Sequence, residues 1–170
     1  LNRIQKTDMC AICHSGKPDQ MLRSTFSFVP GDTFAKFKVP QFYYTNDSTH
    51  LDVHGNQVQL LKSSKCYIFS QMTCTTCHDP HKNTRGEDAI FTQKCLSCHT
   101  TSNHVDCKMV STLTAEALKT NCINCHMPAL ATTKISVQIS DTLPSIQFFV
   151  HTQHIAAYQQ ETKKILAFIT

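Results

Sequence analysis

Residues 72–81 read MTCTTCHDPH, and the segment Cys74-Thr-Thr-Cys77-His78 within them decides how the rest of the chain is read. The same spacing recurs as Cys10-Ala-Ile-Cys13-His14, Cys95-Leu-Ser-Cys98-His99 and Cys122-Ile-Asn-Cys125-His126. Two intervening residues put the sulfurs about one helical turn apart. Thiols so placed can add to the two vinyl groups of one haem, and the histidine after them then meets one axial face of the iron. A lone CxxC pair also serves zinc sites and thioredoxin-like redox centres. The competing reading is therefore zinc bound by CxxC halves. Zinc does not require His directly after the second Cys, whereas all four copies have it. The expectation is four haem c groups, attached through Cys10, Cys13, Cys74, Cys77, Cys95, Cys98, Cys122 and Cys125, with His14, His78, His99 and His126 as proximal ligands.

Length and composition fit that expectation. A chain of 170 residues offers about 42 per haem, too few to build a conventional core around each one. Trp is absent, Leu is sparse and Ser and Thr are abundant. The expected fold class is accordingly irregular and haem-packed, mainly short α-helices and loops with little β-structure, with the four haems forming the core. Without them the chain is expected to be largely unfolded. The formal charge of +4 is offset by about −4 from four oxidised haems with their propionates, leaving the holoprotein near neutral. No basic run stands out, so nucleic acid is not expected as a partner. No apolar stretch approaches the length of a transmembrane segment. The first residues, Leu1-Asn-Arg-Ile-Gln, lack the apolar centre of a signal peptide, and the expectation is a trimmed product whose export signal stood upstream.

Cys66 and Cys107 remain outside the motifs. An even remainder outside the reducing cytosol favours a disulfide, about 3 to 4 kcal/mol for a loop of that size, over two unrelated buried thiols.

The group on the second axial face of each iron determines the chemistry. His or Met gives an electron carrier, and an open face gives a site for small ligands. Six histidines lie outside the motifs: His50, His54, His81, His104, His151 and His154. Met9, Met21, Met72, Met109 and Met127 are the other donors, but Met127 comes directly after a proximal His and cannot reach the opposite face of that iron. Six histidines for four vacancies favour bis-histidine coordination, hence low potentials. The expected distal ligands are His54, whose neighbour Gly55 permits close backbone approach to a porphyrin; His81, three residues beyond His78; His104, near Cys107; and His154, preferred to His151 because it would share a helical face with Ile155 and Tyr158. His50 is left as a propionate partner or a ligand to a haem of another subunit.

Along the chain, residues 1–14 read as a helix delivering His14, stopped by Gly16 and Pro18. Phe26, Phe28, Phe34, Phe37, Phe42, Tyr43 and Tyr44 lie in an irregular stretch and form either a wrap over porphyrin surface or a hydrophobic cluster of their own. Residues 54–65 read as one amphipathic helix with Val58, Leu61 and Lys65 aligned, 87–98 as a helix carrying haem three, and 115–126 as a helix capped by Thr114. Residues 133–140 alternate as a strand and can pair with 146–150, and 151–163 read as a helix. The motifs are separated by 59, 16 and 22 residues, which excludes a solenoid and makes haems two and three neighbours. The whole is read as one tetrahaem domain, with 1–53 holding the first haem and the aromatic stretch, 54–130 haems two to four, and 131–170 a strand and helix tail.

The blocks KCYIFSQMTCTTCHDPH (65–81), KCLSCH (94–99) and NCINCHMP (121–128) resemble those of bacterial multihaem c-type cytochromes, in particular members with MTCxTCHDPH and then CHMP. The resemblance covers a little under half of the chain, residues 54 to 128. It implies an exported protein, extracellular or periplasmic, that carries electrons through bis-histidine haems, with the His of DPH, here His81, as a distal ligand. Its implied partners are redox donor and acceptor proteins or minerals. Some tetrahaem relatives of comparable size polymerise into extracellular wires through haem-proximal interfaces; others are soluble shuttles or modules of longer cytochromes. The alternative from another class, a haem enzyme acting on nitrite or hydroxylamine, needs a five-coordinate iron, and histidines enough to cap every iron argue against it.

Overall fold

The computed structural model describes residues 1–16, 20–39, 51–99, 107, 109 and 111–169, and these fall into two compact units. The first comprises Leu1–Cys74 and Ala129–Ile155, the second Thr75–Pro128 and Ala156–Thr170. Both are built mainly of short helices and loops, and two small antiparallel sheets are the β-structure among the described residues.

The first unit begins with helix α1, Arg3–His14. A reciprocal capping box starts it: Asn2 Oδ1 accepts from the Gln5 N–H at 2.9 Å, and Gln5 Oε1 accepts from the Asn2 N–H at 3.0 Å. Its buried face is Thr7, Asp8, Ala11 and Ile12. Ala11 and Ile12 pack with Phe34, Phe37 and Val58, and Phe28 closes the cluster with its ring edge-on to Phe37 at 5.2 Å. Buried Asp8 accepts the Phe34 N–H at 3.0 Å, and Lys38 Nζ donates to the Ile12 carbonyl. These bonds satisfy polar groups that burial would otherwise strand. Three of the aromatic residues thus form a cluster of their own, whereas Phe26 is fully exposed. Phe42, Tyr43 and Tyr44 lie outside the described residues.

Strands β1 (Gln20–Met21) and β2 (Lys38–Val39) pair briefly beside this core. The stretch expected as one helix over 54–65 is two: α2, Gln57–Lys62, and α3, Lys65–Ile68. Val58, Leu60 and Leu61 are buried, but Lys65 is exposed and begins the second helix. Ser64 causes the break. It takes extended backbone geometry as the N-cap of α3, and its wholly buried hydroxyl bonds elsewhere. Arg3 ties α1 to α3 and to the turn beyond it, donating to the carbonyls of Tyr67 and Met72 with its guanidinium 3.8 Å over the Tyr67 ring. The expected hairpin is present as β3, Ala129–Val137, and β4, Ile146–His151, with an irregularity between Ala131 and Ser136.

In the second unit, α5 (Asp88–Leu96) packs on α6 (Ala115–Thr120) and α7 (Cys122–His126), and α7 packs on α8 (Gln159–Ile169). Thr114 caps α6 as expected, accepting the Ala117 N–H at 3.1 Å. The helix expected over 115–126 is interrupted at Asn121, whose φ of −115° and ψ of 16° end α6 and start α7. The helix expected over 151–163 is corrected. His151 ends β4, residues 152–158 are not helical, and α8 starts at Gln159. Hydrogen bonds from Thr152 and Ser64 hold that segment in a non-helical path.

Candidate haem-attachment sites

Helical geometry carries the thiols of every motif. Motif one is the last turn of α1, with Cys10 half-buried and Cys13 and His14 exposed at its end. Motif two is a single turn, α4 (Cys74–Cys77), and then His78, whose ring lies 5.2 Å from Phe91. Motif three continues the last turn of α5: the His99 N–H bonds the Cys95 carbonyl at 2.9 Å, so helical pairing persists through the motif. Motif four is α7 itself. In motifs one, two and four both cysteines lie in a helix, three residues apart, with the histidine at or just past its end; in motif three Cys95 lies in α5 while Cys98 and His99 follow in the turn beyond it.

In the fourth motif the histidine ring is fixed by the backbone of a distant residue. His126 Nδ1 is 3.0 Å from the Ala156 carbonyl oxygen, and the Ala156 N–H returns a bond to the His126 carbonyl at 3.1 Å. A ring that donates Nδ1–H to a carbonyl leaves the Nε2 lone pair for a metal, the usual outer-shell arrangement of ligating histidines. Burial pushes the Cys122 and Cys125 thiols up from their ordinary pKa. The neighbouring hydroxyls of Thr92, at Cys122, and of Thr162, at Cys125, offset this in part, although Thr92 Oγ1 has no partner within hydrogen-bonding geometry among the described residues, and the nearby Cys107 thiol raises both further. No disulfide joins Cys107 to Cys66, and the two belong to different units.

Three of the four expected distal ligands are described. His54 is exposed in a loop organised by Asp52. That carboxylate accepts the His54 N–H at 2.8 Å, the Thr132 hydroxyl at 2.7 Å, and both the N–H and hydroxyl of Thr133 at 2.7 and 2.8 Å. Burial raises the Asp52 pKa, but these bonds together outweigh it and hold the carboxyl below its ordinary value. Gly55, at φ +84°, has its backbone against Gly16: a Cβ added to Gly55 would lie 3.4 Å from the Gly16 Cα. The glycine expected to admit a porphyrin thus admits the backbone two residues past His14, docking the His54 loop beside motif one. His81 is exposed, and its N–H bonds Asp79 Oδ1 at 3.0 Å.

His154 is half-buried and its N–H bonds Thr152 Oγ1 at 3.1 Å. Ser64 brackets it, donating to the Gln153 carbonyl at 3.3 Å and accepting the Ile155 N–H at 2.8 Å. The expected helical face joining His154 with Ile155 and Tyr158 does not exist, and with it goes the ground for preferring His154 to His151. His50 and His104 lie outside the described residues.

The donor chemistry fits haem c: paired thiols one turn apart, a histidine beside each pair, and at motif four a ring oriented through Nδ1. Asp52, Ser64 and Ala156 escape a reading of the sequence because their partners lie 81, 91 and 30 residues away. Among the described residues no helix is long and apolar enough to cross a membrane. Comparison with protein-family models, with curated proteins and with solved structures gives no match.

Proposed function

We propose that the chain is a tetrahaem c-type cytochrome that transfers electrons and performs no chemistry on a substrate. The observation that supports this most directly is the fourfold Cys-x-x-Cys-His spacing, with both cysteines on a helix in three of the copies. Haem c supplies a one-electron Fe(III)/Fe(II) couple when bound. The chain's own part is to attach and orient it. Each thiol adds across one vinyl double bond, sulfur to one carbon and the thiol hydrogen to the other, so attachment consumes no further reagent. His14, His78, His99 and His126 supply the proximal nitrogens, and Ala156 holds the last of these in the Nε2-ligating tautomer. His54, His81, His104 and His154 supply the distal ones.

Thioether attachment takes place outside the reducing cytosol, so the reading includes export to an extracellular or periplasmic location. Donor and acceptor are redox proteins or minerals. The wire and shuttle forms of this reading differ in assembly, not in the haem sites, and electron microscopy of the native material distinguishes them.

The test is the mass and spectrum of the protein purified after c-type maturation. The expected result is the chain plus four haem masses that survive acid and organic extraction, all low-spin. A product carrying zinc and no covalent haem overturns the reading. A high-spin ferric signal in the untreated protein that responds to nitrite moves it to the enzyme class.

A further inference from the structure

The three described distal histidines share one local device. Asp52, Asp79 and Thr152 each stand two residues before a histidine, and each side-chain oxygen accepts that histidine's backbone N–H, at 2.8, 3.0 and 3.1 Å. The fourth described histidine outside the motifs, His151, has Phe149 at the same offset before it and belongs instead to the β3–β4 ladder, opposite Ala129. In the sequence, Ser102 precedes His104 by two. The same turn also precedes Phe26, Met72, Arg85 and Lys134, so it is a general constraint on loop backbone that these histidines share. Two motif histidines with a suitable residue two places before them are held otherwise. Ser97 precedes His99, but the His99 N–H goes to the Cys95 carbonyl. Asn124 precedes His126, but its side chain spans Asp88 and Asn121.

A helix presents the proximal ring, whereas the distal ring lies in a loop and needs another constraint. A side-chain oxygen bonded to the N–H two residues on closes a small ring of atoms. That ring restricts the intervening backbone dihedrals, and with them the direction in which the histidine leaves the chain. Freedom lost beforehand is not lost again when the imidazole binds a metal.

We propose that Asp52, Asp79 and Thr152 are positioning residues that present His54, His81 and His154 as distal ligands. This rests on the cytochrome reading and adds the means by which a loop holds an axial ligand. Asp79 is the cleanest site to test. It is exposed, and its other side-chain interaction in the structure is an exposed ion pair with Lys82 at 3.8 Å.

The experiment compares wild type, Asp79→Ala, Asp79→Asn and His81→Ala in the mature holoprotein, reading cyanide capture by the ferric haems and the low-spin fraction. His81→Ala is expected to open about one haem in four to cyanide. Asp79→Ala should speed cyanide capture at that haem by about five- to tenfold, the worth of one hydrogen bond, while Asp79→Asn, which keeps the acceptor and loses the charge, stays within about twofold of wild type. Equal rates in wild type and Asp79→Ala overturn the proposal, as do equal accelerations in Ala and Asn variants, which would assign the effect to charge. A His81→Ala protein with every haem still closed overturns the ligand assignment itself, and one with no covalent haem overturns the cytochrome reading. Thr152→Ala against Thr152→Ser, which keeps the hydroxyl, repeats the comparison at His154. A wild-type rate for Thr152→Ala, with His154→Ala opening a haem, overturns the proposal there.

Discussion

Motif one ends a twelve-residue helix whose Ala11 and Ile12 pack against Phe34, Phe37 and Val58, with Val53, Leu60 and Leu61 also buried in the same unit. Motif four is a five-residue helix in a unit where Ala117 and Ile123 are the buried aliphatic side chains among the described residues. The second unit also receives motif three and most of motif two. One Cys-x-x-Cys-His motif thus rests on a protein core, whereas the others rest on short helices joined by polar contacts such as Asn124 to Asp88 and Thr114 to Ala117. Burial of apolar area is the main favourable term in folding. A unit with so little of it draws its stability from elsewhere, and under the proposed function the porphyrin faces provide it.

The sharpest way to break this comparison is to withhold the haems. In the haem-free chain, amide protection is expected to vanish at Thr92, Ala117 and Ile123 and to persist partly at Ile12, Phe37 and Leu60, read by hydrogen exchange. Equal loss at both sets would show that the first unit depends on its haem as much as the second. A smaller effect comes from trimming the cores themselves. In the holoprotein, Phe37→Ala should cost about 3 to 5 kcal/mol in denaturant titration, and Ile123→Ala about 2 kcal/mol because it has fewer apolar neighbours to lose. Equal costs would mean that Ile123 packs as tightly as Phe37. Ser64→Ala is expected to have an effect of similar size to Ile123→Ala, since it strands the Gln153 carbonyl and the Ile155 N–H at a part-buried site. A loss of about 1 to 3 kcal/mol is expected, measured the same way.

Legibility in the sequence divides along the same line. Helix α1, the Thr114 cap, the β3–β4 hairpin and the end of α7 at Met127-Pro128 are readable because capping groups, alternation and proline act within a few residues of where they stand. The helical setting of the Cys-x-x-Cys-His segments is readable because it too is local. The break at Ser64 is not, since its side chain would suit a helix flank or a surface and the choice depends on Gln153 and Ile155, far along the chain. Nor is the break at Asn121, whose side chain bonds its near neighbours Thr120 and Asn124 and would suit a helix as well. Residues 151–158 show the same limit. Their apolar spacing suits a helix, but Ser64 and His126 capture the backbone groups a helix would need. Asp52 joins a loop to a strand 80 residues on, a contact that no spacing rule anticipates.

The β3–β4 ribbon carries a cost of its own. Val137 faces Ile146 and Ser136 faces Gln147, so Val137, Ile146 and Phe148 line one side while Ser136 and Gln147 line the other. All three apolar side chains are exposed. Two strands with an open greasy face and few charges form a template for edge-to-edge stacking between copies. Under the proposed function, the hairpin is the expected starting point for aggregation of chains that have not yet received their haems, so the interval between synthesis and attachment would govern how much soluble protein is recovered.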